Sequence, residues 1–539
     1  MRKTFLIGLL VLLTTSTAYA GQRSLKAIKQ NAVEVLSRQA HRRALAADEQ
    51  QMTVIQQNEQ LTVIGGKAGF AVIANDDRFP PVLGYSDKEY IDGEVAPGYL
   101  WWLEAITEQL EYNREHNLPM ASVAPATDKY KANVGALLVT EWGQNAPYYN
   151  MTPTYLNGKN EVHYVTGCVA TAMAQIMYYH KWPEKGKGTI SYYFTPEGTT
   201  ASQKLSVNLA KEAYDWNNML PIYKGVKYTE AQGNAVAALM MHCGYSVNMQ
   251  YTKTGSGAYT SDAADAMRKR FYYNENMHFY WRSYFPEEEW MENIFRELND
   301  GNPILYGAQR SDGGHEFVLD GYNEEGQVHV NWGWDGNQNG FFDIASLNGY
   351  TTGQEMVIIR KNDIILPYQS YWGMENLQVT LTGSNIRASY VAYNLDYNAF
   401  SGKISLLAMN TADGNISELT AQDVSNVEYM SGFNFTLNAN ISTLADGTYR
   451  IYSGSFSEKD LNWQPIRCHE GNNNSYLLTI SGSKVSVQKE NNANWTPVHD
   501  IRYDSGFDVA APLYDLLGRR VPATGKKGIY IRNGRKIVH

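Results

Sequence analysis

The sequence predicts an α+β protein built from several domains, and three observations carry that reading. Runs with helical spacing alternate with short strand-like runs over the first two thirds of the chain. From Leu366 onward the ordered runs are all strand-like and are separated by Asn, Asp, Gly and Ser turns. The 539 residues are also too many for one hydrophobic core, at about 100–200 residues per domain.

Met1–Ala20 has the form of an export signal: Arg2 and Lys3, an apolar run from Phe5 to Leu13, then Ala18-Tyr19-Ala20 before Gly21. That run is too short to span a bilayer, and no later stretch approaches about 20 apolar residues. The expectation is a secreted or cell-surface protein with no membrane span. No cysteine follows the cleavage point, so a lipid anchor is not expected.

The next hundred residues form a small α+β unit. Leu25, Ile28, Ala32, Val35 and Leu36 share one helix face, with Ser24 as its N-cap. Four strands follow at Met52–Ile55, Leu61–Ile64, Gly69–Ala74 and Val82–Tyr85, then a helix around Tyr99–Leu110. Asn117–Lys131 reads as an exposed linker. The second unit, from about Ala132 to Asp363, opens with the loop Trp142–Asn150 and ends in strands Ile304–Ala308, Glu316–Tyr322 and Gln327–Trp332. A β-sandwich pattern then runs through Val379–Leu381, Arg387–Asn394, Gly402–Leu407, Phe433–Leu437, Thr448–Tyr452 and Tyr476–Ser481, and a small basic β module closes the chain.

The formal charge of −9 and the lack of a long Lys/Arg run argue against nucleic acid as the main partner. Three cysteines are too few for a disulfide framework in an exported chain of this size, and their odd number leaves one unpaired. Cys243 ends an apolar helical run and reads as a small buried hydrophobe, and Cys468 sits in the β-rich region and reads as structural or inert. Cys168 lies on the first turn of a helix in Thr166–Trp182, where Val169, Met173, Ile176 and Met177 make the apolar face. Unpaired N–H groups and the helix dipole there favour a thiolate.

A thiolate needs a partner that takes and returns a proton. Of eleven histidines, His315 is best placed, behind Gly313-Gly314 and ahead of an apolar strand. Hairpin arithmetic places its neighbours. A four-residue turn at Asn323–Gly326 sets Trp332 on the His315 face, whereas a three-residue turn sets Asn331 there. Gln144, with the N–H of Cys168, is the candidate donor pair for an oxyanion. No metal site or cofactor is expected. Asp335–Gly340 mimics the opening of a calcium loop but has Ser346 where the closing carboxylate belongs, and Thr254–Thr260 lacks the ending of a phosphate loop.

In order and spacing, GCVATAMAQIMYYHKWP, DWNNMLP, GGHEFVLDGY and HVNWGWDG resemble the streptopain family of papain-like cysteine peptidases. The resemblance implies a secreted zymogen with an inhibitory α+β pro-domain at 21–130 and a papain-like catalytic domain at 131–365, beside the signal peptide 1–20, the Ig-like β-sandwich 366–490 and the C-terminal module 491–539 that the residues themselves suggest. It implies a Cys168/His315 pair, an oxyanion hole including Gln144, and Trp332 packed at the histidine. Ser256, Gly257 and Gly314 would line the substrate cleft. The pro-domain would be an intramolecular inhibitor, and proteins or peptides the substrates. Glu316 departs from the family, which more often has a small residue there. The last module, with YDLLGRRV and GKKGIYIRNGRK, resembles the sorting domains of Bacteroidetes proteins exported by the type IX pathway, so secretion machinery is an implied partner. Two other readings of the same residues are a papain-like acyltransferase or amidase, and a surface adhesin carrying a relic peptidase domain. The β-sandwich reads as a spacer.

Overall fold

The computed structural model describes residues 21–40, 48–120, 123–211, 213–310, 313–347, 353–362, 368–460, 462–469, 472–490 and the strands within 513–538. The expected signal peptide at 1–20 lies outside them. The chain divides into two compact units, Met1–Tyr90 with Ile106–Ala121, and Ile91–Ala105 with Ser122–His539.

In the smaller unit, helix α1 (Leu25–Ala40) lies on an antiparallel sheet of β1 (Thr53–Gln57), β2 (Leu61–Gly66), β3 (Gly69–Ala74) and β4 (Val82–Ser86). The apolar spacing read from the sequence does the packing, because Ile28, Ala32 and Leu36 are buried. Ser24 caps the helix, accepting from the Ala27 N–H at 3.3 Å. Helix α2 (Pro97–His116) is shared between the units. Ile106 and Leu110 are buried on the smaller unit's side of that division, while residues through Ala105 pack with the larger one.

The larger unit begins with a hairpin, β5 (Thr154–Asn157) and β6 (Asn160–His163), followed by helix α3 (Cys168–His180). The sequence offered one apolar face for α3. The helix is instead buried on every side, from Val169 through Tyr178, because it runs through the middle of the core. After a second hairpin, β7 (Thr189–Phe194) and β8 (Gln203–Asn208), come α4 (Glu230–Ser246) and α5 (Thr260–Arg270). Thr229 and Gln232 form a capping box at the start of α4. Cys243 is fully buried there, its sulfur 3.7 Å from Met177 Sδ.

A run of six neighbouring antiparallel strands faces α3. It is built from β9 (His278–Trp281), β10 (Ile304–Arg310), β11 (Gly313–Tyr322), β12 (Val328–Asn331), β13 (Gly340–Phe342) and β14 (Glu355–Ile358), in the order β13-β12-β11-β10-β14-β9. Helix α6 (Glu287–Asn299) packs on β10 and β11. Because β11 starts at Gly313, His315 is inside the strand and not ahead of it.

The hairpin between β11 and β12 uses both registers that the sequence left open. Asn323 and Gln327 close a three-residue turn, and Tyr322 pairs with Val328. The register then shifts by one between Leu319 and Gly321, with Asp320 as the extra residue, so Val318 lies opposite Asn331. Beyond this bulge the strands run as a four-residue turn would have set them. The bulge is held in place: Asp320 Oδ2 accepts from the Leu138 N–H at 2.9 Å, and Oδ1 lies 2.5 Å from His329 Nδ1.

The C-terminal part of this unit is a β-sandwich. One sheet holds β15 (Trp372–Met374), β16 (Gln378–Thr382), β17 (Asn385–Asn394), β20 (Gly432–Asn440) and β23 (Arg467–Cys468). The other holds β18 (Phe400–Asn410), β19 (Ile416–Val427), β21 (Gly447–Phe456), β22 (Gln464–Pro465), β24 (Ser475–Ser481) and β25 (Lys484–Lys489). Trp372, Phe400, Phe435, Ile404 and Ile451 fill the shared core. Cys468 is buried in it and, like Cys168 and Cys243, is a free thiol.

The sandwich is docked on the peptide segments around β9 and α6. Arg467 makes a bidentate ion pair with Glu289 at 2.9 and 2.6 Å, and its guanidinium lies 4.0 Å from the Phe285 ring centroid. Tyr371 meets Tyr280 edge-on at 5.3 Å, and Tyr397 packs on Phe279 at 5.4 Å. Farther on, four short strands, β26 (Leu513–Asp515), β27 (Arg520–Val521), β28 (Ile529–Arg532) and β29 (Arg535–Val538), form a separate antiparallel sheet. Among the described residues no helix is long and apolar enough to cross a membrane.

Candidate active site

Gly167 begins the site. Its φ of 88° is in the left-handed region, and a Cβ there would lie 2.7 Å from the Ser256 carbonyl oxygen. Glycine is thus needed both for the backbone angle and for the close approach. Cys168 follows as the first residue of α3.

Burial pushes the Cys168 thiol up to about 11, against the pull of the backbone N–H groups of Glu316, Val169 and Cys168 itself. This reverses the shift expected from the helix N-terminus alone. The N–H groups act as anticipated, but loss of water around the sulfur outweighs them, and the Glu316 carboxylate adds to the rise. Loss of water therefore favours the thiol over the thiolate in this state.

The Glu316 N–H fixes where the sulfur lies. β12 ends at Asn331, opposite Val318, so at Glu316 the edge of β11 has lost its partner on that side. Cys168 meets β11 there, one residue from His315. His315 itself is partly buried and lies opposite Ala308 of β10. By strand alternation it shares a face with Phe317, and the Phe317 and Trp332 rings are 4.8 Å apart.

The shifted register therefore puts Trp332 on the His315 face. Trp332 is held firmly: its N–H donates to Asn339 Oδ1 at 3.0 Å and its Nε1 to the Gln338 carbonyl at 2.9 Å. The 335–340 segment connects β12 to β13. Asn331 turns the other way. Its Nδ2 donates to the Thr140 carbonyl at 2.7 Å, and its Oδ1 accepts from Gln175 Nε2 at 3.2 Å.

Gln175 was missed in the sequence, where it is a lone amide inside an apolar helix. It is fully buried, and its Oε1 accepts from Thr140 Oγ1 at 2.8 Å and from the Trp142 N–H at 3.4 Å. It ties α3 to the loop carrying Gln144 and to Asn331. Gln144 is buried, and its carbonyl accepts from the Thr166 N–H at 3.2 Å, two residues before Cys168.

The three expected cleft residues differ in what they offer. The Ser256 hydroxyl is used internally, donating to the Val165 carbonyl at 2.7 Å and accepting from the Thr252 N–H at 3.0 Å. Gly257 exchanges two backbone bonds with Gln250 and has open space where a Cβ would be. Gly314 is exposed at the start of β11.

Residues of α2 cover part of the His315 face. A Cβ on Gly98 would lie 2.9 Å from Trp332 Cε3, the Tyr99 and Trp332 rings are 6.3 Å apart, and the Trp101 and Phe317 rings 6.4 Å. The Ala96 N–H donates to Gln338 Oε1 at 2.8 Å, and Trp102 Nε1 to the Asp343 carbonyl at 2.8 Å. The segment Ile91–Ala105 is therefore bound to the turn that holds Trp332.

With this geometry in hand, comparisons place the chain among known proteins. The peptidase C10 family model matches residues 142–342. The chain is 32% identical to streptopain of Streptococcus pyogenes over 293 residues, which is 53% of this chain and 73% of streptopain. It is 34% identical over 318 residues to the thiol protease/hemagglutinin PrtT of Porphyromonas gingivalis, covering 54% of this chain but only 36% of PrtT. Among solved structures it is similar to a fragment of Prevotella intermedia prointerpain A bearing a cysteine-to-alanine substitution. The identity is 38% and the TM-score 0.53, covering 57% of this chain and 97% of that one.

Proposed function

Because the chain belongs to the peptidase C10 family of streptopain-like cysteine peptidases, we propose that it hydrolyses peptide bonds in proteins with Cys168 as nucleophile and His315 as its proton-transfer partner. In the working enzyme His315 takes the thiol proton and the thiolate attacks the scissile carbonyl carbon. Gln144 and the Cys168 N–H receive the oxyanion. The imidazolium then protonates the leaving amine, the C–N bond breaks, and a thioester to Cys168 remains. His315 next takes a proton from water, the hydroxide attacks the thioester, and the thiol leaves as its proton returns.

The observation that supports this reading is that Cys168 opens α3, the helix packed on β11, and β11 carries His315. Trp332 shields the imidazole from water, while Asn331 braces the scaffold through Gln175 and Thr140. The substrate backbone passes Gly257 and Gly314, and Ser256 anchors the loop that carries Gly257.

The described state supports a latent precursor. Burial favours the thiol over the thiolate, and Gly98, Tyr99 and Trp101 lie over Trp332 and Phe317. Residues 21–130 act as the inhibitory cover, released by cleavage within Asn117–Lys131. Met1–Ala20 and the C-terminal module direct export through secretion machinery to the cell surface or medium.

Incubating the purified precursor alone tests the reading. The unaltered protein is expected to shorten its own N-terminal region and cleave casein, and Cys168→Ala to do neither. A Cys168→Ala protein that matures unaided and cleaves casein overturns the assignment.

A further inference from the structure

Beside Cys168, three adjacent strands gather a second piece of chemistry. Gly307 of β10 lies opposite Glu316 of β11 on one side and opposite Glu355 of β14 on the other. A Cβ at Gly307 would sit 2.2 Å from Thr260 Oγ1 and 2.8 Å from Glu316 Oε2. This strand glycine is what lets a hydroxyl and two carboxylates converge. Thr260 donates to Glu316 Oε2 at 2.8 Å, and the same hydroxyl reaches Glu355.

Both glutamates are buried, at 4% and 5% exposure, and Glu316 Oε1 has no hydrogen-bond partner. Neither forms an ion pair among the described residues. The surrounding charges do not supply one. Helix α5 contributes Asp262, Asp265 and Arg268, and Arg268 is turned to Asp265, Asn398 and the Tyr397 ring. Helix α3 contributes Cys168, and β11 contributes His315. From the sandwich come Tyr397 and Tyr429, both near enough to Glu355 for its charge to raise their pKa. Trp281 of β9 lies opposite Glu355.

We propose that Glu316 and Glu355 form a recognition site for a lysine or arginine side chain of the substrate, next to the scissile bond, with Trp281, Tyr397 and Tyr429 as its aromatic wall. The inference rests on Cys168 being the nucleophile, since the Glu316 N–H at its sulfur sets the distance between this acid pair and the reacting carbonyl. Buried carboxylates without a partner are costly, and a substrate cation supplies what the fold withholds. Ring faces accept a guanidinium or ammonium and its aliphatic stem. Trp281, Tyr397 and Tyr429 are each partly exposed. The sandwich, on this reading, is part of the specificity apparatus and not a spacer.

The test uses activated full-length enzyme and peptides that differ only in one residue beside the scissile bond, Arg, Lys or Leu. The unaltered enzyme is expected to give kcat/KM for Arg or Lys about tenfold or more above Leu, and Glu316→Gln and Glu355→Gln to bring that ratio close to one. Tyr429→Ala, at a half-buried position, lowers the ratio without touching either acid. Cleavage sites in denatured casein give a readout that needs no variant: Lys or Arg must be enriched beside the cut. A ratio unchanged in all three variants, a preference for Leu, or no enrichment in casein overturns the proposal. An enzyme that cuts no peptide and whose Cys168 resists a thiol-directed inhibitor instead overturns the peptidase reading, and this inference with it.

Discussion

Two buried acids near the sandwich, Glu289 and Glu355, have similar exposure and opposite company. Glu289 is 7% exposed and holds Arg467 through both oxygens, with Phe285 under the guanidinium. Glu355 is 5% exposed and faces another acid, Glu316, across a glycine, with one hydroxyl between them. Burial pushes Glu355 up to about 7, while the Thr260 hydroxyl works the other way. The first pair is a finished joint whose charge is cancelled by the fold. In the second, no cation of the fold meets the acid among the described residues.

The largest effect expected from this contrast is at the finished joint. Arg467→Ala takes the cation away from the buried Glu289 carboxylate and is expected to cost about 3–5 kcal/mol in urea or thermal unfolding. Replacing both partners by Met removes the uncompensated charge and is expected to cost far less. If the single and double variants are equally unstable, the joint owes its strength to packing and the contrast fails.

The unfinished site gives the next effect, and its sign is set by pH. The ordinary pKa of 4.5 for Glu355 rises to about 7 on folding, so between these values the folded chain holds the extra proton. Stability from this group is present at low pH and is lost as pH rises through about 7, by on the order of 3 kcal/mol. In Glu355→Gln, urea unfolding measured from pH 5 to 8 should lose that downward slope. A slope that persists assigns it to Glu316 alone. A smaller change, about 1–3 kcal/mol, is expected for Gly307→Ala, whose methyl would press on Thr260 and Glu316. Adding Thr260→Ser, which keeps the hydroxyl and removes a methyl, should not rescue it, whereas Thr260→Gly should.

Much of this was legible in the sequence because it depended on local spacing. Ile28, Ala32 and Leu36 announced α1, and the alternating residues of 387–394 announced β17. β19 was missed because most of its residues are exposed on an edge, which leaves no alternation to read. The motifs located Cys168, His315 and Gln144, and Glu316 stood out as a departure. Its partner Glu355 did not, because their meeting needs the registers of three strands whose residues lie about forty positions apart. The choice between Asn331 and Trp332 also escaped, since turn length alone could not reveal a compensating bulge at Asp320. The shift of the Cys168 thiol went the wrong way because a helix terminus is visible in a sequence and the dryness around a sulfur is not.

That bulge carries a consequence for how such chains diverge. A turn lengthened by one residue would swap the strand faces at the site, unless the strand gave up its extra residue at the same time. Insertion in the turn and deletion at Asp320 are therefore paired events: each alone moves the register at the site, and together they restore it. Deletion also removes the Asp320 bonds to Leu138 and His329, so relatives with a four-residue turn should lack that acid and carry no selected histidine opposite it.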